Sequence, residues 1–245
     1  MNPRKREWDM ASLKGIERFQ LWIDANSAVS GILTAPSKPA ACYVFAHGAG
    51  AGMEHRFMAD AADGLAARGI ATLRYQFPYM EAGSKRPDRP EVAYAAVRAA
   101  VARAAVRFPK TRLIAGGKSF GGRMTSQAQA ASPMPGLHGL AFFGFPLHPA
   151  GKPSVTRAEH LDAIRIPALF LQGSADKLAE IALIKATVKT IGTAATLHLV
   201  NDADHSFHVP KRSGRTDKDV FDEVLDAFAD WAGALPLNET APDKA

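Results

Sequence analysis

Cysteine is almost absent from this sequence: Cys42 is the one thiol in 245 residues. An internal disulfide is therefore excluded, and the usage suits a reducing compartment. Cys42 lies inside the apolar run Ala41–Ala46 and reads as a small core residue. Long hydrophobic runs are also missing. No stretch approaches the roughly 18 apolar residues of a membrane span. The opening Met1-Asn-Pro-Arg-Lys-Arg-Glu-Trp8 has basic residues with no apolar segment behind them, unlike a secretory signal. Cytoplasmic residence, with no membrane partner, is the resulting expectation. Blocks of one charge sign are scarce too. The net charge of +6 comes from basic residues interleaved with acids, beyond the short Arg4-Lys-Arg6 and Lys211-Arg212 pieces. A nucleic-acid-binding stripe would be clustered, so no nucleic-acid partner is expected. What is present is ordinary for a globule: 47% hydrophobic and 22% charged residues, enough for one full core.

After Pro39 the chain alternates short apolar runs with Ala-rich helical patterns. The runs are Cys42–Ala46, Ile70–Tyr75, Arg112–Ala115, Gly139–Phe143, Ala168–Leu171 and Ala195–Val200. Helical periodicity falls on Phe57–Arg68, Glu91–Arg107, Met124–Ala131, Leu178–Ile191 and Asp217–Trp231. Such alternation predicts an α/β fold, a mostly parallel sheet with helices on both faces. Before it, Phe19–Leu33 carries an Asp24-Ala-Asn-Ser27 turn and predicts an antiparallel hairpin. No repeat or linker divides the chain. The expected organisation is an N-terminal extension over 1–15, a single domain over 16–234 and a tail over 235–245. The segment from Phe145 to Ile166 is too short for a large cap domain, though a small lip over a pocket would fit. Parallel sheets bind ligands beyond the carboxyl ends of their strands, so the loops there are the place to search.

The most informative of these loops is Gly117-Lys-Ser-Phe-Gly121, between a strand and a helix opening at Phe120. A G-x-S-x-G in that setting holds the serine on a strained turn, with its hydroxyl clear of the sheet. Two phosphate-loop readings fail. A G-x-x-x-x-G-K-[ST] loop would need glycine where Arg112 stands, and the Gly48-Ala-Gly-Ala-Gly52 run would need glycine at Met53 to match G-x-G-x-x-G.

A serine needs a base to become a nucleophile. Hydrolases built around such a turn deliver their partners in the order Ser, acid, His, after later strands. Asp176 follows the Leu169–Leu171 strand, and His205 follows Ala195–Val200. Ser119, Asp176 and His205 are therefore the expected catalytic residues. His208 is an alternative base; Asp202 and Asp204 are alternative acids from the histidine's own loop. His47 reads as a loop anchor. For the oxyanion, the N–H groups of Phe120 and Ala49 are expected, with Gly48 or Gly50 as neighbouring choices. His205-Ser-Phe-His208 alone does not make a metal pattern, so neither metal nor other cofactor is expected.

The stretches Ala46-His-Gly-Ala-Gly-Ala-Gly-Met53, Arg74-Tyr-Gln-Phe-Pro-Tyr-Met80, Gly116-Gly-Lys-Ser-Phe-Gly-Gly-Arg123, Phe145-Pro-Leu-His-Pro149 and Asp204-His-Ser-Phe207 with Ser213-Gly-Arg215 carry a resemblance. They resemble a branch of the α/β-hydrolase superfamily related to dienelactone hydrolases, which includes many bacterial hydrolases and a testis-expressed eukaryotic relative. The resemblance implies the α/β-hydrolase fold and the triad already read on Ser119, Asp176 and His205. Dienelactone hydrolases proper use a cysteine nucleophile, and this chain has serine there. The resemblance brings no substrate; the activity expected from the triad itself is hydrolysis of a small or medium carboxylic ester or thioester through an acyl-enzyme. Acyl transfer, perhydrolysis and a non-catalytic interaction module are the alternatives. Gly48, Gly50, Phe77, Met80, Phe145 and Phe207 are expected to border the substrate. Arg74, Lys118, Arg123, Lys152 and Arg215 are placed near the mouth, where positive charge would favour a carboxylate-bearing ester.

Overall fold

The computed structural model describes residues 13–237. The expected extension and tail lie largely outside the described residues. Eight strands form one sheet in the order β1-β2-β4-β3-β5-β6-β7-β8. β1 (Leu13–Trp22) and β2 (Ala28–Pro36) make the antiparallel hairpin, and β2 also runs antiparallel to β4 (Ile70–Tyr75). The hairpin turn closes through Ile23 N–H to Ser27 O at 2.8 Å and Asn26 N–H to the Asp24 carboxylate at 2.8 Å. All other pairings are parallel, through β3 (Ala41–Ala46), β5 (Arg112–Lys118), β6 (Leu137–Phe143), β7 (Ala168–Gly173) and β8 (Ala195–Val200). Strands β3, β4 and β7 are buried at every position, which is why they read as unbroken apolar runs rather than alternations.

Helices cover both faces. On one, α1 (Arg56–Ala66) packs beside α6 (Asp217–Ala234); the other is covered by α3 (Pro90–Arg107), α4 (Phe120–Ala131) and α5 (Ile181–Ile191). A four-residue helix α2 (Pro78–Glu81) sits between β4 and α3. Helix α3 buries Ala93, Ala96, Val97, Ala100, Val101 and Ala104, an i, i+3, i+4 stripe of small side chains that lets it lie close to the sheet. Helix α6 is started by a capping box between Thr216 and Asp219, and it buries Val220, Val224, Leu225, Phe228 and Ala232. None of the described helices is long and apolar enough to cross a membrane.

Two elements differ from the sequence expectation. Helix α5 starts at Ile181 rather than Leu178; Leu178 lies in the preceding loop, where its N–H donates to the Asp176 carboxylate at 2.8 Å. The segment after β6 forms a 3₁₀ helix over Thr156–Ala163 that buries Ala158 and Leu161 in the core on the α4 side. It adds to the body of the domain, and among the described residues no separate cap domain stands over the sheet.

Candidate active site

Strand β5 ends at Lys118 and helix α4 begins at Phe120, leaving Ser119 alone at the corner with φ 52° and ψ −114°. A non-glycine residue at positive φ is strained, and this corner is held from both sides. Ser119 N–H donates to Phe143 O at 3.2 Å, and Arg123 N–H donates to Ser119 O at 3.1 Å. The corner also needs glycine. A Cβ on Gly117 would lie 2.5 Å from Ala46 O, and one on Gly121 would enter the same carbonyl's contact shell. Those glycines let β5 and α4 press against the end of β3, which carries the glycine-rich loop.

Asp176 follows β7 and His205 follows β8, as their places in the sequence require. His205 Nδ1 is 2.6 Å from Asp176 Oδ2, and the Asp176 side chain is fully buried. Asp176 accepts two further hydrogen bonds, from Leu178 N–H at 2.8 Å and from Gln172 Nε2. The Gln172 amide is itself oriented, because its Oε1 accepts Phe145 N–H at 2.9 Å. In the tautomer whose Nδ1–H donates to Asp176, Nε2 carries the ring's free lone pair. His205 Nε2 is buried and has no hydrogen-bond partner among the described residues. His205 and Ser119 line the same cleft, with no hydrogen bond between them in this structure.

The other candidates are placed elsewhere. His208 is exposed and pairs with Asp217 at 2.9 Å. Asp204 accepts Ser206 N–H at 2.7 Å and His208 N–H at 3.0 Å, which shapes the histidine's loop. Asp202, at φ 59°, is an exposed turn residue. His47 is fully buried: its Nε2 accepts Phe77 N–H at 3.1 Å, so its Nδ1 donates to Gly48 O at 2.8 Å. Burial pushes its imidazole down to about 4, partly opposed by the Gly48 carbonyl, and it anchors the glycine-rich loop as a neutral group.

In that loop, Ala51 N–H donates to Gly48 O at 3.2 Å, Gly50 N–H to the Tyr79 hydroxyl at 3.2 Å, and Met53 N–H to Gln76 Oε1 at 2.8 Å. No described hydrogen bond engages the N–H of Ala49 or of Phe120, the first residue of α4. Gly48 passes the nucleophile closely enough that a Cβ there would be 4.0 Å from Ser119 Cβ.

A cleft of about 1030 Å³ opens from these residues and runs outward between α1 and α6. Gly48, Ala49, Ser119, His205 and Phe207 line it, with apolar surface from Phe57, Phe221 and Leu225. Four residues expected at the substrate lie off this cleft. Phe77 is fully buried edge-on to His47 and Phe120, at centroid distances of 4.9 and 5.4 Å. Phe145 is fully buried between Phe142 and Phe170. Met80 borders a separate depression with Gln76 at the β1–β2 edge, and Gly50 turns its N–H to Tyr79. The loops do sit at the strand ends, but their aromatic side chains turn inward, where burial favours them. The basic mouth is not assembled either. Arg74 is buried on Met53 O and Thr34 Oγ1, Arg215 pairs with Glu223, and Arg123 lies over the Phe120 ring. Of the five basic residues, Lys118 alone lines the cleft. Gln172 was not singled out by sequence reasoning; a lone amide ending the run Ala168-Leu-Phe-Leu171 was the available signal.

An eight-stranded, mostly parallel sheet with a serine at the strained strand-to-helix corner and a histidine–aspartate pair after the last two strands defines the α/β-hydrolase class. Residues 39–233 match the family described as alpha/beta hydrolase domain, and the chain belongs to that family. Among solved structures it is similar to a dienelactone hydrolase from Anabaena variabilis (TM-score 0.73, 18% identity, 90% of this chain and 97% of that one). A lidless α/β serine hydrolase from Xanthomonas campestris is also similar (TM-score 0.69, 19% identity, 92% and 97%). A third is the esterase Est1E from Butyrivibrio proteoclasticus (TM-score 0.64, 15% identity, 87% and 98%). The chain shares the fold of these structures.

Proposed function

We propose that this protein is a serine hydrolase that cleaves a small or medium carboxylic ester or thioester through an acyl-enzyme. The reading rests on one observation above all: His205 is tied to the buried Asp176 through Nδ1, lines one cleft with Ser119, and keeps its Nε2 without a hydrogen-bond partner among the described residues. In this mechanism His205 Nε2 takes the hydroxyl proton as Ser119 Oγ attacks the substrate carbonyl carbon. The tetrahedral oxyanion is met by the N–H groups of Phe120 and Ala49, which no hydrogen bond among the described residues engages. Collapse expels the alcohol or thiol, protonated by the imidazolium, and leaves acyl-Ser119. Water, activated by the same imidazole, then attacks the acyl carbon and releases the acid and the free serine. Asp176 holds the imidazole tautomer and stabilises its cationic form in both steps. The open cleft and the lack of a separate cap domain suit a substrate that reaches Ser119 directly from solvent.

A fluorophosphonate probe tests this reading. Stoichiometric labelling of the wild type at Ser119, lost in a folded Ser119→Ala variant, is the expected result. Folded wild type that is not labelled at Ser119 overturns it. A panel of nitrophenyl and thioester substrates of increasing acyl length then sets the size the cleft accepts.

A further inference from the structure

The residue just before the nucleophile has its own environment. The Lys118 side chain turns under the histidine loop, where its Nζ donates to the backbone carbonyl of His205. The rings of Phe57 and Phe207 flank the ammonium, with centroids at 5.4 and 5.3 Å. Phe207 holds φ at +64°, a strained value for a bulky residue, in bringing its ring there. Gly144 closes the box from β6: a Cβ at that position would be 2.9 Å from Lys118 Nζ and 3.2 Å from His205 Nδ1. Ammonium and imidazole therefore converge on the same small space. The charged and titratable groups facing the ammonium are the Asp176 and Asp204 carboxylates, and the His205 ring beside Gly144. Burial pulls the Lys118 ammonium down to about 8, opposed by those two carboxylates, so it is mainly charged at neutral pH.

We propose that Lys118 is a positioning residue for the general base: its caged ammonium ties the His205 backbone to the corner that carries Ser119 and presents a fixed positive charge to the imidazole. The first part couples the placement of base and nucleophile, since the tether starts one residue before Ser119. The second part sets a like charge beside the imidazolium that forms as His205 takes the Ser119 proton, an effect that the pH profiles of charged and uncharged variants at position 118 read directly. This role differs from attracting an anionic substrate, because the Nζ is turned to the His205 carbonyl and boxed by two rings.

The inference rests on the serine-hydrolase reading and is tested by the pH dependence of fluorophosphonate labelling, with folding checked by near-UV circular dichroism. In Lys118→Met, the rate at the optimum is expected to fall at least about tenfold, and the acid limb of the profile to rise by about one pH unit. In Lys118→Arg, which keeps the charge, the acid limb is expected to return to the wild-type position. An acid limb unmoved in folded Lys118→Met, or displaced equally in Lys118→Arg, overturns the proposal. If Lys118→Met does not fold, Lys118→Gln, which keeps a donor without the charge, takes its place: a raised limb supports the role and an unmoved one refutes it. Absence of labelling in the wild type would instead refute the underlying hydrolase reading.

Discussion

Replacing Asp176 by asparagine separates what this side chain does for stability from what it does for catalysis. One carboxylate oxygen accepts Leu178 N–H, and the other accepts both His205 Nδ1–H and Gln172 Nε2–H. Gln172 cannot turn over without losing Phe145 N–H from its Oε1. An amide at 176 therefore meets one donor-to-donor conflict whichever way it points. With its oxygen on Leu178, its NH₂ faces Gln172 Nε2 and donates to His205 Nδ1, which moves the imidazole proton to Nε2 and removes the base. With its oxygen on His205 and Gln172, the tautomer survives, but Leu178 N–H is opposed and the imidazolium loses its anion. Each conflict buries an unsatisfied donor, at about 1–3 kcal/mol. The wrong tautomer costs roughly 10⁴ in rate, or about 5.4 kcal/mol at 1.36 kcal/mol per tenfold. The right tautomer beside a neutral amide costs less, and a loss of order 10²–10⁴ brackets the two cases. Combining Asp176→Asn with Gln172→Glu resolves them. The carboxylate introduced at position 172 accepts both Phe145 N–H and the asparagine NH₂, which locks in the orientation that misplaces the proton. Urea unfolding should then show stability recovered while kcat/KM on a nitrophenyl ester stays about 10³–10⁴ below wild type. A double variant that regains rate along with stability, or a single variant within tenfold of wild type, would refute the assignment of Asp176.

Gly121→Ala drives a Cβ against the backbone carbonyls of Ala46 and His47, which cannot move away as a side chain would. The expected cost is about 3 kcal/mol or more, with loss of labelling at Ser119; an unchanged thermal midpoint would contradict the packing described. Stability should also depend on acid. His47 is held neutral by burial down to about 4, so the unfolded chain binds a proton below about 6.5 that the folded chain refuses. The His47 contribution is complete above that pH and falls by about 1.4 kcal/mol per pH unit as the solution is taken down toward 4. His160, lowered to about 4 by burial and then by Arg123, acts in the same direction. Equal urea midpoints at pH 7.5 and pH 5.0 would contradict this.

Much of the fold was legible along the chain because its signals are local. Buried parallel strands read as apolar runs, and Ala-rich amphipathic stretches as the helices between them. The corner at Ser119 was legible for the same reason, since its steric demands fall on glycines two residues away. The order of Ser119, Asp176 and His205 was also in the sequence, because each residue follows its own strand.

The tertiary structure decided whatever depends on which way a side chain turns once strands are paired. Phe77 and Phe145 sit in the expected loops yet turn into the core, where two fully buried rings gain more than they would on an open cleft. Asp202, Asp204 and Asp176 were each plausible partners for His205 by spacing. Only the pairing of β7 with β8 places Asp176 at 2.6 Å, while Asp204 is used up on its own loop's N–H groups. Gln172 and Lys118 act through contacts with residues far along the chain, and no local pattern marks such contacts. The sequence by itself therefore determined the corner on which Ser119 stands. The packing of strands and loops decided which acid meets the histidine and where the charge of Lys118 points, because those depend on distances through space rather than along the chain.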